Sequence, residues 1–137
     1  MTRPTSALLL GCFALVSATA AAVAAVPGEQ SLSAGHGRCM KQSGGVTAKM
    51  LECIGNETRL QDARLNAEYR RTLAAVPAKR QAGLRATQRL WVQYRDANCR
   101  WHADPDGGTA AALAAADCVL TMTAARADEL VRLRPEF

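Results

Sequence analysis

Aromatic residues are scarce in this chain: they make up 4% of its 137 residues, with two each of Trp, Tyr and Phe. A core with so few large side chains buries little apolar area, so we expect a small margin of stability. The chain also lacks period-two alternation of apolar and polar residues, and β-branched residues are sparse. These absences exclude strand-based folds and predict an all-α fold.

No pattern typical of a catalytic or metal site is present. The two histidines, His36 and His102, are isolated from each other, and no CxxC motif occurs. A serine triad needs a histidine near a serine and an acid, and glycoside hydrolysis needs paired carboxylates in a groove. A thin helical bundle rarely offers such a groove, and phosphate loops and nucleophile elbows are missing. We therefore expect no enzyme, no metal and no cofactor.

Runs of like charge are missing as well. The chain has 17 Lys and Arg against 12 Asp and Glu, which gives a net charge of +5, but no five like charges follow one another. Charge that is spread in this way is typical of solvated helix faces. We expect no nucleic-acid partner.

The long apolar segment of the chain lies at its N-terminus. It follows Arg3 and covers residues 7–26, and Ala22-Val23-Ala24 satisfies the small-x-small rule for signal peptidase. We interpret residues 1–24 as a signal peptide, which predicts a periplasmic or secreted protein.

Two other interpretations of this segment stay open. About 20 apolar residues can span a bilayer, so the segment could be a retained anchor. The sequence LLGC, which ends at Cys12, is similar to a lipobox, in which the cysteine is acylated. We expect contact with a membrane only if Cys12 is lipidated or the signal is retained.

Four cysteines follow the predicted signal peptide: Cys39, Cys53, Cys99 and Cys118. In a small exported chain this number is typical of two disulfides, for which three pairings exist. We favour the local pairing of Cys39 with Cys53 and of Cys99 with Cys118. Each bridge would close a loop of about 15 to 20 residues and contribute about 3 kcal/mol in the chain-entropy account.

Glycine and proline divide the rest of the chain into a lead-in and three helices. Residues 25–45 are rich in Gly and Ser, which predicts a flexible lead-in. Residues 46–137 form the helical domain, and their apolar spacing predicts a small antiparallel three-helix bundle stapled by two disulfides. The predicted helices run from Val46 to about Ala75, from Pro77 to about Ala103, and from about Ala110 to Leu133.

Polar groups lie on the apolar stripe of the second predicted helix. A buried guanidinium needs a carboxylate, and its fork suits a two-point contact. We predict a structural clasp between the first two helices, formed by Asp62, Gln88 and Arg95. In the functional alternative, Arg95 and Asp96 line a cleft. The predicted stripe comprises Leu84, Gln88, Trp91, Tyr94 or Arg95, Asn98 and Trp101.

A strong turn, DPDGGT, follows the second predicted helix. It is the most acidic point of a basic chain, and a bridge between Cys99 and Cys118 would lower the cost of ordering it on binding. Thr109 is a candidate N-cap of the third helix. We predict a partner-binding loop, and the alternative is that the segment is only a good turn. The loop comprises His102, Asp104, Asp106, Gly107, Gly108 and Thr109.

Spaced motifs run through the helical domain: Thr47-x-x-Met50-x-x-Cys53, Trp91-x-x-Tyr94-Arg95-Asp96-x-x-Cys99, Gly107-Gly108-Thr109 and Cys118-x-x-x-x-Thr123-x-x-Arg126. Together with Cys39 they resemble the LprI-type family of bacterial lysozyme inhibitors over residues 39–132. The resemblance implies an exported or lipid-anchored, cystine-bridged domain that binds and blocks lysozyme, and it assigns no inhibitory residues. The alternative is a structural or adaptor domain of the cell envelope that binds another protein or peptidoglycan.

Overall fold

The computed structural model describes residues 32–134, so the predicted signal peptide and Cys12 lie outside the described residues. Residues 32–134 form four helices and no strand, which confirms the all-α prediction. The three long helices begin and end close to the predicted positions. The helices are α1 (Ala34–Gln42), α2 (Thr47–Ala75), α3 (Ala78–Trp101) and α4 (Gly108–Arg132).

The prediction of three helices is wrong, because α1 lies within the segment predicted to be a flexible lead-in. Gly35 and Gly37 have low helix propensity, which is why their spacing predicts no helix. The helix nevertheless has an N-cap, since the Ser33 hydroxyl accepts a hydrogen bond from the His36 backbone N–H at 3.1 Å. Its attachment to α2 then outweighs its weak intrinsic propensity.

Helix α1 folds back on the first half of α2. Gly44 and Gly45 have φ angles of 61° and 77°, a left-handed conformation that glycine adopts at little cost. The reversal brings Cys39 and Cys53 together, with their Cα atoms 5.7 Å apart and their sulfur atoms bonded. This is the first of the two local disulfides that the sequence favours.

A buried carboxylate, that of Glu57, also holds the start of α1. The residue is 2% exposed. It accepts hydrogen bonds from the backbone N–H of Ser33 at 2.8 Å, from the Ser33 hydroxyl at 2.5 Å and from Nε2 of Gln61 at 2.8 Å. Burial raises the pKa of Glu57, but the hydrogen bonds from Ser33 and Gln61 outweigh burial and leave that pKa below its ordinary value. The start of α1 is therefore attached to α2 through the charged carboxylate of Glu57.

We expect the attachment of α1 to weaken in acid. A carboxyl group whose pKa is lower in the folded chain contributes stability above its unfolded pKa, about 4.5 here, and loses that contribution as the pH falls through the folded value. Melting temperatures measured by circular dichroism from neutral pH down to about pH 3 should therefore fall more steeply for the parent than for Glu57→Gln. The exposed Glu52 lies on the same helix, so Glu52→Gln is the matched control and should follow the parent. Parallel curves for the parent and Glu57→Gln would contradict this role.

Helix α4 is the central element of the fold. Its inward face carries Leu120, Ala124, Ala127 and Leu130, all with 0% exposure. Leu130 and Ala127 pack with Leu65 of α2, and Tyr69, Leu84 and Trp91 complete this cluster. By length and composition alone α4 could also cross a membrane, with a mean hydropathy of 1.4. An alanine-rich core helix meets the same criterion.

Helix α3 runs antiparallel to α4. The second disulfide joins Cys99 to Cys118, with a Cα–Cα distance of 5.4 Å, while Gln88 contacts Arg126 further along the pair. Helix α3 packs mainly on α4 and little on α2. Cys99 is its one fully buried residue. Helix α3 is therefore the outermost of the long helices.

Candidate functional site at the tip of α3 and α4

The buried polar clasp of this protein is built around Arg126 of α4. Arg126 is 4% exposed. Its Nε donates to Oε1 of Gln88 at 3.0 Å, and its Nη1 pairs with Oε2 of Glu129 at 2.7 Å. The guanidinium also lies over the Trp91 ring, with Cζ 5.8 Å from the ring centroid. These contacts join α3 to α4 through a cation.

The predicted clasp of Asp62, Gln88 and Arg95 is not formed. Asp62 is exposed on α2, where it accepts a hydrogen bond from Nδ2 of Asn66 at 3.0 Å. Arg95 pairs with the adjacent Asp96 at 2.8 Å and lies over the Trp91 ring at 5.2 Å. The prediction was wrong because Asp62 lies on an exposed face of α2, while α3 directs Gln88 toward Arg126 of α4. The contacts of Arg126 hold α3 against α4, and the alternative cleft of Arg95 and Asp96 remains a sequence-based hypothesis.

The predicted partner-binding loop lies at the tip of the α3–α4 pair, and every residue from Trp101 to Ala110 is exposed. Asp104 organises the turn. Its Oδ1 accepts a hydrogen bond from the Asp106 backbone N–H at 3.0 Å, and its carbonyl oxygen accepts one from the Gly107 N–H at 3.1 Å. The Asp104 side chain thus fixes the turn that presents Asp106.

Two glycines end the turn for different reasons. A Cβ atom at Gly107 would lie 2.7 Å from Cβ of Ala111, so a side chain does not fit there. Gly108 has a φ of 58°, a conformation that strains other residues. Helix α4 begins at Gly108 without a side-chain cap, so the prediction that Thr109 is its N-cap is wrong.

A disulfide ties the end of α3 to α4. The Cys99–Cys118 disulfide joins the two helices two residues before α3 ends and ten residues after α4 begins. Nδ2 of Asn98 lies 3.4 Å from Sγ of Cys118 and 3.4 Å from Sδ of Met122, so these side chains close the space around the bridge. The bridge therefore fixes the α3 side of the loop against α4.

The tip brings aromatic and polar groups together on the surface. A shallow depression of about 570 Å³ is lined by Arg100, Trp101, His102, Ala103, Asp104 and Pro105. It combines an indole that is 84% exposed with an imidazole and a carboxylate. Among residues 32–134 no three His, Cys, Asp or Glu side chains are grouped so as to hold a metal ion. This arrangement is suited to surface recognition.

Sequence reasoning placed two aromatic residues on the wrong face of α3. Tyr94 and Trp101 are 61% and 84% exposed, and not part of the inward stripe. With Leu90 and Ala97 they form an exposed row, which we name the outer stripe. The signal was present in the sequence, since these residues follow one another at spacings of four, three and four. The predicted stripe allowed either Tyr94 or Arg95 at one position, so it combined residues from the inward and the outward face of α3.

Comparison with protein families gives one result that covers most of this fold. The model of a family described as "Lysozyme inhibitor LprI" matches residues 39–130. The matched region contains both disulfides, α2, α3, the predicted partner-binding loop and most of α4. Comparisons with curated proteins and with solved structures found no match.

Proposed function

Because the chain belongs to the LprI family, we propose that it is an exported inhibitor of lysozyme that binds the enzyme and blocks its substrate groove. The observation that carries this proposal is the family match, which extends from Cys39 to Leu130. The family is described by inhibition, so the function that we propose is binding and not catalysis.

We propose the tip loop, residues 102–109, as the part that is held by lysozyme. A glycosidase is inhibited when a groove with paired carboxylates is blocked, and a protruding loop fills a groove better than a flat helix face does. The exposure of the whole loop supports this choice, and so does the disulfide that fixes the end of α3 beside it. A loop that is already held in one conformation loses less entropy on binding.

Export is part of the same proposal. The predicted signal peptide, residues 1–24, is one support, and the two disulfides are another, since disulfides persist in oxidising compartments. The protein should be produced with its own leader and purified from the periplasm or medium of the host. The measured mass then reports whether cleavage follows Ala24 and whether Cys12 carries lipid.

Lysis of bacterial cell walls by lysozyme provides the functional test. Turbidity is followed with and without the purified protein, and we expect the protein to slow the loss of turbidity in a concentration-dependent manner. The same experiment distinguishes the alternative function. A protein that sediments with peptidoglycan or with another envelope protein, but leaves lysis unchanged, is a structural or adaptor domain.

The acidic groups of the loop should matter for inhibition. We expect the double variant Asp104→Asn and Asp106→Asn to raise the inhibition constant about tenfold, or about 1.4 kcal/mol. Asn at position 104 keeps an oxygen that can accept the Asp106 N–H bond, so the turn is retained while both charges are removed. The loss should shrink as salt is raised, because exposed charges are screened.

A matched variant tests whether inhibition depends on the position of the removed charges or only on the net charge of the protein. Glu52→Gln with Asp62→Asn removes two exposed acidic charges from α2 and should inhibit as the parent does. Unchanged helical circular dichroism and melting are required of both double variants. Undiminished inhibition by the loop variant would exclude the loop and move the site to the exposed face of α2.

A further inference from the structure

Positive charge in this protein is concentrated on α3. The helix carries six cations, Lys79, Arg80, Arg85, Arg89, Arg95 and Arg100, against the single acid Asp96. Within residues 32–134, only Arg95 of these six has an ion pair. The helix thus presents a strong positive field that the described part of the chain does not neutralise.

The same helix exposes its outer stripe. Leu90 is 65% exposed, Tyr94 61% and Trp101 84%, and Ala97 lies between the last two. The stripe runs about 16 Å along the helix axis at 1.5 Å per residue. No helix among the described residues covers it, because α3 meets α4 through its opposite face. Arg89 and Arg100 are exposed neighbours of the two ends of the stripe.

We propose that the outer stripe of α3 docks on the surface of an anionic phospholipid bilayer. Helices that lie in the membrane interface combine a row of Trp, Tyr and Leu with Lys and Arg on the polar face. Exposed indole and phenol rings suit the headgroup region, since they have an apolar body and a polar group. Cations beside the row are attracted to anionic headgroups. The docking needs neither a lipid on Cys12 nor a retained signal, so it differs from the sequence-based expectation that membrane contact requires one of these. It does not depend on lysozyme inhibition.

Charge and shape disfavour other occupants of the stripe. A second copy would bring two helices with six cations each face to face, and like charges repel. A glycan or peptide is usually bound in a concave site with convergent polar groups. The outer stripe is instead a straight row on a convex helix, which suits a flat, deformable surface.

Sedimentation with lipid vesicles tests the proposal. Vesicles made of phosphatidylglycerol and phosphatidylcholine in equal parts are compared with vesicles of phosphatidylcholine alone. We expect partitioning to be at least about tenfold stronger on the anionic vesicles and to weaken as salt rises. Trp101 reports the contact directly, since its fluorescence emission should move to shorter wavelength on anionic vesicles, and the movement should be lost in Trp101→Phe.

Variants assign the binding to the stripe. Leu90→Ser with Tyr94→Ser should lower partitioning about tenfold or more, because two exposed apolar groups are removed. Arg89→Gln should lower it on anionic vesicles only. The matched control is Val46→Ser with Leu60→Ser, which removes two apolar groups, 49% and 59% exposed, outside α3 and should bind as the parent does. All of these side chains are about half exposed or more, so helical circular dichroism should remain that of the parent. Val46 is the N-cap of α2, where serine is favoured, so the control should melt no lower than the parent.

Several results would overturn the proposal. One is absence of binding to anionic vesicles, and another is equal binding to neutral ones. Parent-like partitioning of Leu90→Ser with Tyr94→Ser would exclude the stripe as the contact. A dimer in sedimentation velocity that this variant abolishes, without vesicle binding, would assign the stripe to a second copy. Binding to purified peptidoglycan and not to vesicles would assign it to the cell wall.

Discussion

Reduction of the two disulfides is expected to unfold the protein at moderate temperature. The bridges join cysteines that are 14 and 19 residues apart, and each contributes about 3 kcal/mol in the chain-entropy account, so their joint loss costs about 6 kcal/mol. Domains of this size are stable by only about 5–15 kcal/mol, and a core with few aromatic residues lies toward the lower end. The reduced chain should therefore lose most of its helical circular-dichroism signal.

Variants distinguish the contributions of the two bridges. Cys99→Ser with Cys118→Ser should lower the global melting temperature, because this bridge joins α3 to the central helix α4. Cys39→Ser with Cys53→Ser should mainly release α1 and leave the α2–α4 contact intact. Chemical denaturation of the oxidised and reduced parent gives the free energies of unfolding. A reduced chain that retains a cooperative transition near that of the oxidised chain would show that the core alone suffices.

Replacement of Arg126 should have the largest effect among single charged residues. Arg126→Ala is expected to lower the free energy of unfolding by about 3 kcal/mol, because it removes the buried stem, the bond to Gln88 and the contact with the Trp91 ring. Glu129 adds little to this sum, since its side chain is 47% exposed and is hydrated once its partner is removed. The melting temperature should fall by about 15 °C for a domain of this size.

Arg95 provides the matched control for this measurement. It contacts the same Trp91 ring and donates to the Thr123 hydroxyl at 3.3 Å, but its carboxylate partner Asp96 is exposed, so Arg95→Ala should cost less, about 1–2 kcal/mol. Arg126→Met keeps most of the buried volume and should recover part of the loss. Thermal and urea unfolding of the three variants would test this order of losses in the free energy of unfolding. Equal losses for Arg95→Ala and Arg126→Ala would contradict the assignment of the buried clasp to Arg126.

The long helices and their approximate ends could be predicted because local signals define them. Pro77 separates α2 from α3, the DPDGG turn separates α3 from α4, and the apolar spacing is helical throughout. Helix α1 could not be predicted from propensity. It depends on a disulfide and on a carboxylate, Glu57, that is 24 residues from Ser33. Contacts between residues so far apart along the chain cannot be inferred from local sequence patterns.

The site was predicted less completely than the fold. The turn chemistry of Asp104, Gly107 and Gly108 is local, so the loop and its position could be inferred from residue types alone. Prediction of the clasp required knowledge of which helices are in contact. An antiparallel bundle suggests that α3 meets α2, its neighbour along the chain, whereas α3 lies mainly against α4 and meets Arg126. The same geometry leaves Tyr94 and Trp101 exposed.

The pairing of the cysteines follows their order along the chain, first with second and third with fourth. A chain that enters an oxidising compartment N-terminus first presents Cys39 and Cys53 to an oxidant before Cys99 has emerged. The correct partner is then the one available thiol, and the same holds for Cys118 once the first bridge has closed. Maturation of such a chain requires a donor of disulfides and little rearrangement by an isomerase, because the first thiol that each cysteine meets is its correct partner.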